Sequence, residues 1–157
     1  LLDELGIKRC HVVGMCVGGP YIAGLLRAAP ERFASAVLLQ PVGIDGNREA
    51  FYDIFDRWKA ELESTHPEAD DGDWSSYRSN MWDGEFVLTA TRDDVAAIKV
   101  PMLLAMGNDL HHPQSTSREI AALAPDVTFI EHWKEDECLP ATDAAIKNFL
   151  ANHTPGV

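Results

Sequence analysis

A cysteine flanked by glycines, placed between a strand-like and a helix-like segment, restricts the fold of this chain more than any other feature of its sequence. The run is Gly14-Met15-Cys16-Val17-Gly18-Gly19. It follows the short β-rich segment Cys10 to Val13, and apolar residues recur at helical spacing from Pro20 onward. A strand that turns at once into a helix needs small residues where the two elements approach each other. We therefore expect a sharp bend with Cys16 at its tip.

Apolar runs and helical periodicities alternate on both sides of a central segment, which predicts an α/β fold with a mostly parallel sheet. The first residues, Leu1 to Leu5, are typical of the end of a helix stopped by Gly6. The later expected strands are Ala34–Leu39, Met102–Met106 and Val127–Ile130, and the later expected helices are Ser115–Leu123 and Ala141–Leu150.

The central segment, residues 43–98, differs because no strand pattern interrupts it. Aromatic and aliphatic residues from Phe51 to Leu62 mark one face of an amphipathic helix. An acidic stretch from Glu68 to Asp73 predicts a loop, and Arg92 to Ile98 predicts another helix. We interpret the segment as a helical lid inserted over a site.

Charge and hydrophobicity exclude several classes of function. The 157 residues contain 25 Asp plus Glu against 13 Lys plus Arg, a formal charge of -12, which disfavours nucleic acid and anionic lipid as partners. No apolar run approaches the roughly 20 residues of a membrane helix, and no signal peptide is readable. Three cysteines without paired spacing favour a reducing compartment, so a cytoplasmic protein is expected.

The bend motif and the alternation of strands and helices resemble the α/β-hydrolase fold family, with cysteine in the position where serine is commoner. The resemblance covers residues 1–42 and 99–157 as the carboxyl-terminal half of the hydrolase core, with 43–98 as the lid. It implies that the amino-terminal strands lie outside this chain, in the same polypeptide or in a second chain. A homo-oligomer is left open.

The resemblance also assigns roles to individual residues. Cys16 would be the nucleophile, and the backbone N–H of Val17 would be one oxyanion donor, the second donor lying upstream of the chain. Asp109, after the strand that ends near Met106, would be the acid. His132 falls in the interval where the family places its histidine but lacks the usual glycine turn, and His112 in the loop after Asp109 is the other candidate for the base.

Each of these residues also fits a structural role. Cys16 fits a small buried residue, and Asp109 fits a turn or a helix cap. The aromatic residues of the central segment fit either a hydrophobic core or a substrate pocket. Neither a cofactor nor a metal site is expected, because the neighbouring His111 and His112 point in different directions and no metal-binding spacing occurs. The candidates for substrate contact are Met15, Trp58, Trp82 and Phe86.

We therefore predict a hydrolase that acts on a small-molecule ester, thioester, lactone or similar activated carbonyl through a cysteine nucleophile. Two alternatives remain at this point: a catalytically inactive protein that binds ligands on the same fold, and an acyltransferase of the same fold.

Overall fold

Four parallel strands form one sheet in the order in which they occur along the chain. The computed structural model describes residues 1–154; residues 155–157, which the predicted core range 99–157 includes, lie outside the described part. The predicted parallel sheet is confirmed. The strands are β1 (Cys10–Met15), β2 (Phe33–Leu39), β3 (Met102–Ala105) and β4 (Val127–Ile130), ordered β1-β2-β3-β4.

The two central strands, β2 and β3, are apolar and buried on both faces, as parallel strands covered by helices usually are. Ala36, Val37, Leu103 and Leu104 are all inaccessible to solvent. Strand β1 pairs with β2 from Cys10 to Met15 and, within residues 1–154, with no other strand. It is therefore an edge strand of the described sheet, and its Met15 is directly opposite Leu39.

In the described residues, six α-helices connect and cover the strands. Helices α1, α4 and α5 contribute to the main core on one face of the sheet, and α6 covers the other face. Within residues 1–154, no helix combines the length and the apolar character needed to cross a bilayer. The helices are α1 (Gly18–Ala28), α2 (Arg48–Leu62), α3 (Asp71–Trp82), α4 (Arg92–Ala97), α5 (Gln114–Leu123) and α6 (Leu139–His153).

Alternate residues of the strands face the two layers. Ala36 and Leu38 join Ile22 and Leu26 of α1 in the main core, whereas Val37 packs on the other face with residues of α6. A single shift of register would turn every one of these side chains to the wrong layer, so the alternation fixes the pairing.

The central segment, 43–98, contains helices α2, α3 and α4 and no strand. Aromatic residues of α2 and α3 form a second apolar group, which we call the aromatic cluster; its buried members are Val42, Phe51, Phe55, Trp74 and Trp82. The cluster packs against Cys16 and Val17, so these helices lie next to the bend after β1. That the segment acts as a lid remains a prediction.

Two local expectations differ from the structure. Residues 1–5 form hydrogen-bonded turns, with Leu5 N–H donating to the Leu1 carbonyl at 3.1 Å, and Gly6 at φ 66° ends them; no longer helix precedes β1 in this chain. The acidic stretch is not all loop, because α3 begins at Asp71. The side chain of Asp70 accepts from Asp73 N–H and Asp73 accepts from Asp70 N–H, a reciprocal cap that starts the helix.

Candidate active site

Cys16 occupies a strained backbone conformation at the carboxyl end of β1. Its φ is 57°, in the left-handed region that non-glycine residues rarely adopt. Three hydrogen bonds hold it there: Cys16 N–H donates to the Leu39 carbonyl at 3.0 Å, and the Cys16 carbonyl accepts from Gly19 and Val42 N–H, each at 3.1 Å. Such strain costs about 1–3 kcal/mol and is concentrated at functional sites.

The glycines around Cys16 allow the bend because other residues would collide there. A Cβ added at Gly14 would lie 2.9 Å from the Gly18 carbonyl carbon and 2.7 Å from Ile22 Cδ1. A Cβ at Gly19 would lie 2.9 Å from Pro41 Cα and 2.5 Å from its Cβ. The first contact brings β1 against α1, and the second brings α1 against the residues after β2. The local sequence therefore dictates a close approach that only glycine permits.

Cys16 lies against apolar side chains and is followed by a backbone N–H that has no acceptor within residues 1–154. The residue is half-buried and packs against the aromatic cluster. The N–H of Val17 has no hydrogen-bond acceptor among residues 1–154. Such an unpaired backbone donor is available to a negatively charged oxygen beside Cys16.

Asp109 and His112 form a hydrogen-bonded pair in the loop that follows β3. Oδ1 of Asp109 accepts from the backbone N–H groups of His111 and His112, each at 3.0 Å, and lies 2.7 Å from His112 Nδ1. Partial burial raises the pKa of Asp109, but the hydrogen bonds from the side chain and backbone of His112 outweigh it, so the pKa lies below its ordinary value. The loop thus holds an ionised carboxylate against an imidazole.

The second ring nitrogen of His112 is left without a partner. The side chain is 11% exposed, and Nε2 is buried with no hydrogen-bond partner among residues 1–154. Buried polar atoms are normally hydrogen-bonded, so an orphaned ring nitrogen calls for an explanation. With Nδ1 bonded to the carboxylate, Nε2 is the atom that would accept a proton. No side-chain hydrogen bond joins the Cys16 sulfur to an imidazole within the described residues.

His132 lies apart from this pair. It is exposed in the loop after β4, near Glu131 and Glu135. The pKa of Glu131 is lowered mainly by its hydrogen bond with Arg118, and His132 adds a smaller effect. The next residue, Trp133, turns inward instead, and its Nε1 donates to the Met106 carbonyl at 2.8 Å. The structure therefore brings Asp109 to His112 and leaves His132 at the surface.

The four candidates for substrate contact fall in different environments. Trp82 is buried in the aromatic cluster with Cys16 against it, stacked on Phe51 with ring centroids 4.7 Å apart. Met15 is half-exposed at the end of β1. Trp58 is partly exposed on α2, and Phe86 is buried in the main core with Arg92 over its ring. Of the four, Trp82 alone is a buried member of the cluster that touches Cys16.

Two residues that the sequence did not single out connect the central segment to the Asp109 loop. The ring of Phe51 lies edge-on to His111, with centroids 5.3 Å apart. Asn47 is buried, and its Nδ2 donates to the Leu110 carbonyl at 2.6 Å and to the Gly43 carbonyl at 3.1 Å. Periodicity places Phe51 on a buried face but does not reveal its partner, and no sequence signal marks Asn47.

No protein-family model matches the chain. A curated relative, the carboxylesterase YbfK of Bacillus subtilis (strain 168), is 25% identical over an alignment 157 positions long, gaps included. The alignment covers 81% of this chain and 51% of the relative. The uncharacterized carboxylesterase nap of the same organism is 24% identical over 81% of this chain and 50% of its own length. The chain thus spans about half the length of these relatives.

Solved structures extend the likeness to 98% of the chain. Rv0554 from Mycobacterium tuberculosis matches with a TM-score of 0.69 and 19% identity over 98% of this chain and 69% of its own. The meta-cleavage product hydrolase CumD from Pseudomonas fluorescens IP01 matches with a TM-score of 0.64 and 18% identity, over 98% and 68%. Together with the parallel sheet and the bend at Cys16, these likenesses identify the architecture of the chain as the α/β-hydrolase fold.

Proposed function

We propose that this chain carries the nucleophile and the acid–base pair of an esterase-type hydrolase that uses cysteine. The observation that carries the proposal is the buried His112, bound to Asp109 through Nδ1 and unpartnered at Nε2. The Asp109 loop and the Cys16 bend both follow the carboxyl ends of strands in one parallel sheet, where ligands of open α/β sheets bind. The aromatic cluster links them, because Cys16 packs against it and Phe51 contacts His111.

In the first step, His112 Nε2 takes the thiol proton of Cys16, directly or through one water. The thiolate attacks the carbonyl carbon of the substrate and forms a carbon–sulfur bond, which places negative charge on the carbonyl oxygen. The Val17 N–H donates to that oxygen. The intermediate collapses to a thioester as the leaving alkoxide or thiolate takes the proton from the His112 imidazolium.

In the second step, His112 Nε2 accepts a proton from water, and the resulting hydroxide attacks the thioester carbon. The carbon–sulfur bond breaks, the acid is released, and the proton returns to the sulfur of Cys16. Asp109 keeps the ring oriented throughout and stabilises the imidazolium by its charge. An alcohol in place of water would give acyl transfer by the same steps.

His112 is a better candidate for the base than His132 because of its position. The carboxylate that would orient the ring is 2.7 Å from His112 Nδ1, whereas His132 is exposed among glutamates in another loop. The inward side chain at the end of β4 is Trp133, which is already committed to the Met106 carbonyl.

The proposed substrate class is supported by the apolar side chains next to the Cys16 sulfur and by the names of the curated relatives. Two curated relatives are named carboxylesterases, which supports an ester of a small molecule. The aromatic cluster beside Cys16 favours an apolar acyl or alcohol group, with Trp82 and Met15 as contacts.

We further propose that the rest of the fold adds strands along β1. Val13 and Met15 share one face of this edge strand and are 55% and 52% exposed, and Tyr21 and Leu25 of α1 are similarly exposed. An unpaired apolar edge is costly and promotes aggregation. An intact mass of the protein near twice 17.3 kDa would place those strands in the same polypeptide. A mass of 17.3 kDa, with a single species of that size in native mass spectrometry, would contradict both this arrangement and a partner chain.

Hydrolysis of p-nitrophenyl acetate tests the proposed function. Wild-type protein should release a burst of chromophore equal to the number of sites, followed by slower turnover. Cys16→Ala should abolish the burst, and Cys16→Ser should reduce it. Equal slow rates in all three proteins would contradict the proposal.

One observation favours a second candidate, a protein of this fold that binds ligands without chemistry. Within the described residues, no imidazole is hydrogen-bonded to the Cys16 sulfur. Saturable binding of a p-nitrophenyl ester without release of chromophore would support this alternative and contradict hydrolysis.

A further inference from the structure

A cavity of about 400 Å³ lies between α2 and α3, and Cys16 does not line it. Three of its walls are the aromatic side chains of Trp58, Trp74 and Tyr77. The polar residues Glu68, Asp73 and His66 also line it. Aromatic walls together with carboxylates are unusual for a plain hydrophobic crevice, so the chemistry of the lining itself indicates the kind of ligand that fits.

The three rings meet at steep angles. The centroids of Trp58 and Trp74 are 5.8 Å apart with 83° between the ring planes, and those of Trp58 and Tyr77 are 5.5 Å apart at 65°. Rings at such steep angles are not stacked in parallel, so they enclose a corner that is lined by both ring faces and ring edges. A compact cation held in such a corner is attracted by the negative faces of the rings.

No cation of the described residues occupies these ring faces. Within residues 1–154, the cation–π contacts are those of Arg78 over Tyr52 and Arg92 over Phe86, each at 4.6 Å. The neighbouring Lys59 is engaged elsewhere, with its Nζ 2.9 Å from Asp71 Oδ1. Trp58 and Tyr77 are 37% and 46% exposed, so both can meet a cation from solution, whereas Trp74 is 7% exposed and forms the inner wall.

The charge around the cavity also favours a cation. Residues 56–78 contain seven Asp plus Glu and three Lys plus Arg. A hydrogen bond from His66, 2.8 Å from Glu68 Oε1, holds the pKa of Glu68 below its usual range, which keeps that carboxylate ionised. Such a local field concentrates cations near the cavity.

We propose that this cavity binds a small quaternary ammonium compound, with the methylated nitrogen among Trp58, Trp74 and Tyr77 and its charge balanced by Glu68 and Asp73. A primary ammonium is strongly hydrated, whereas methyl groups on nitrogen are apolar and match the aromatic walls. The site is separate from the bend at Cys16 and does not depend on the hydrolase proposal.

Isothermal titration calorimetry with choline and with 3,3-dimethyl-1-butanol tests the inference. The two compounds have nearly the same shape, but the second carries no charge. Choline should bind about tenfold more tightly, the difference expected from a cation held by several rings. Equal binding of the two, or no binding of choline at millimolar concentration, would overturn the proposal.

Variants at Trp58 test whether the aromatic ring itself, and not only the volume of the side chain, contributes to binding. Trp58 is partly exposed, so its substitution should leave the fold intact. Trp58→Leu keeps an apolar wall and should weaken choline binding about tenfold, whereas Trp58→Phe keeps a ring and should lose less. Leu139→Ala, at an exposed position of α6, is the control and should bind as wild type does. Circular dichroism checks that each variant is folded. Unchanged affinity in a folded Trp58→Leu would also overturn the proposal.

Discussion

His112 is bonded to Asp109 by both its backbone and its side chain: N–H and Nδ1 of the histidine lie 3.0 and 2.7 Å from the same carboxylate oxygen, Oδ1. Hydrogen bonds between two residues of one loop thus hold a carboxylate and an imidazole together, and Asn47 and Phe51 of the central segment contact the same loop. This local construction leads to predictions about pH, packing and reactivity.

Asp109→Asn should lower stability at neutral pH but not at low pH. The pKa of Asp109 is lower in the folded protein than in the unfolded chain, where it is about 3.9. The ionised carboxylate therefore contributes to the free energy of unfolding above the unfolded pKa, and this contribution is lost as the pH falls through the folded pKa. The side chain is 45% exposed, which limits the size of the effect. Urea unfolding at pH 7 and pH 3 measures it. A difference between variant and wild type that is as large at pH 3 as at pH 7 would contradict the assignment.

Gly19→Ala should destabilise the protein by about 1–3 kcal/mol, because the new Cβ would lie 2.9 Å from Pro41 Cα. Gly18→Ala is the matched control one residue earlier, where an added Cβ meets nothing within 4 Å, and it should change stability by less than about 0.5 kcal/mol. Chemical denaturation measures both. Equal effects would show that the close approach of α1 to the residues after β2 does not exist.

Cys16→Gly should be more stable than Cys16→Ala by about 1 kcal/mol. Both variants lose the thiol, but glycine adopts φ 57° without strain and alanine does not. Thermal unfolding of the two variants side by side measures the difference. If alanine is the more stable of the two, the strained bend is wrong.

Phe51→Ala should cost about 3–5 kcal/mol, since Phe51 is 2% exposed and stacks on Trp82. Ile54→Ala on the same helix is the control, because Ile54 is 39% exposed and its loss should cost less than about 1 kcal/mol. The mutation should also increase hydrogen exchange in the loop that carries His111, whose ring contacts Phe51. Unchanged exchange there would contradict the link between α2 and this loop.

The sequence was sufficient for the sheet and for the bend. Val127–Ile130 is a strand with the predicted bounds, since four apolar or β-branched residues end at a charged one. The glycine pattern predicts Cys16 at the tip of a turn, and its φ of 57° agrees. These features depend on local composition and on glycine, which can be read from neighbouring residues along the chain.

The arrangement of the polar groups was harder to predict. Whether His112 or His132 contacts Asp109 depends on the direction in which each side chain points from its loop. Adjacent residues of a loop can point in opposite directions. At the end of β4, His132 turns outward and Trp133 inward, a difference of one residue that no periodicity specifies. The loop that composition predicts over the acidic stretch is wrong from Asp71 onward, because the reciprocal cap between Asp70 and Asp73 starts a helix there.

The most direct test of the account is to trap the acyl group on Cys16. Protein is exposed briefly to p-nitrophenyl acetate and quenched in acid, and the acetylated peptide is located and quantified by mass spectrometry over time. The account predicts acetyl on Cys16, formed about 100-fold more slowly in His112→Gln and at the wild-type rate in His132→Gln. Acetyl on another residue, or equal rates of Cys16 acetylation in wild type and His112→Gln, would contradict it.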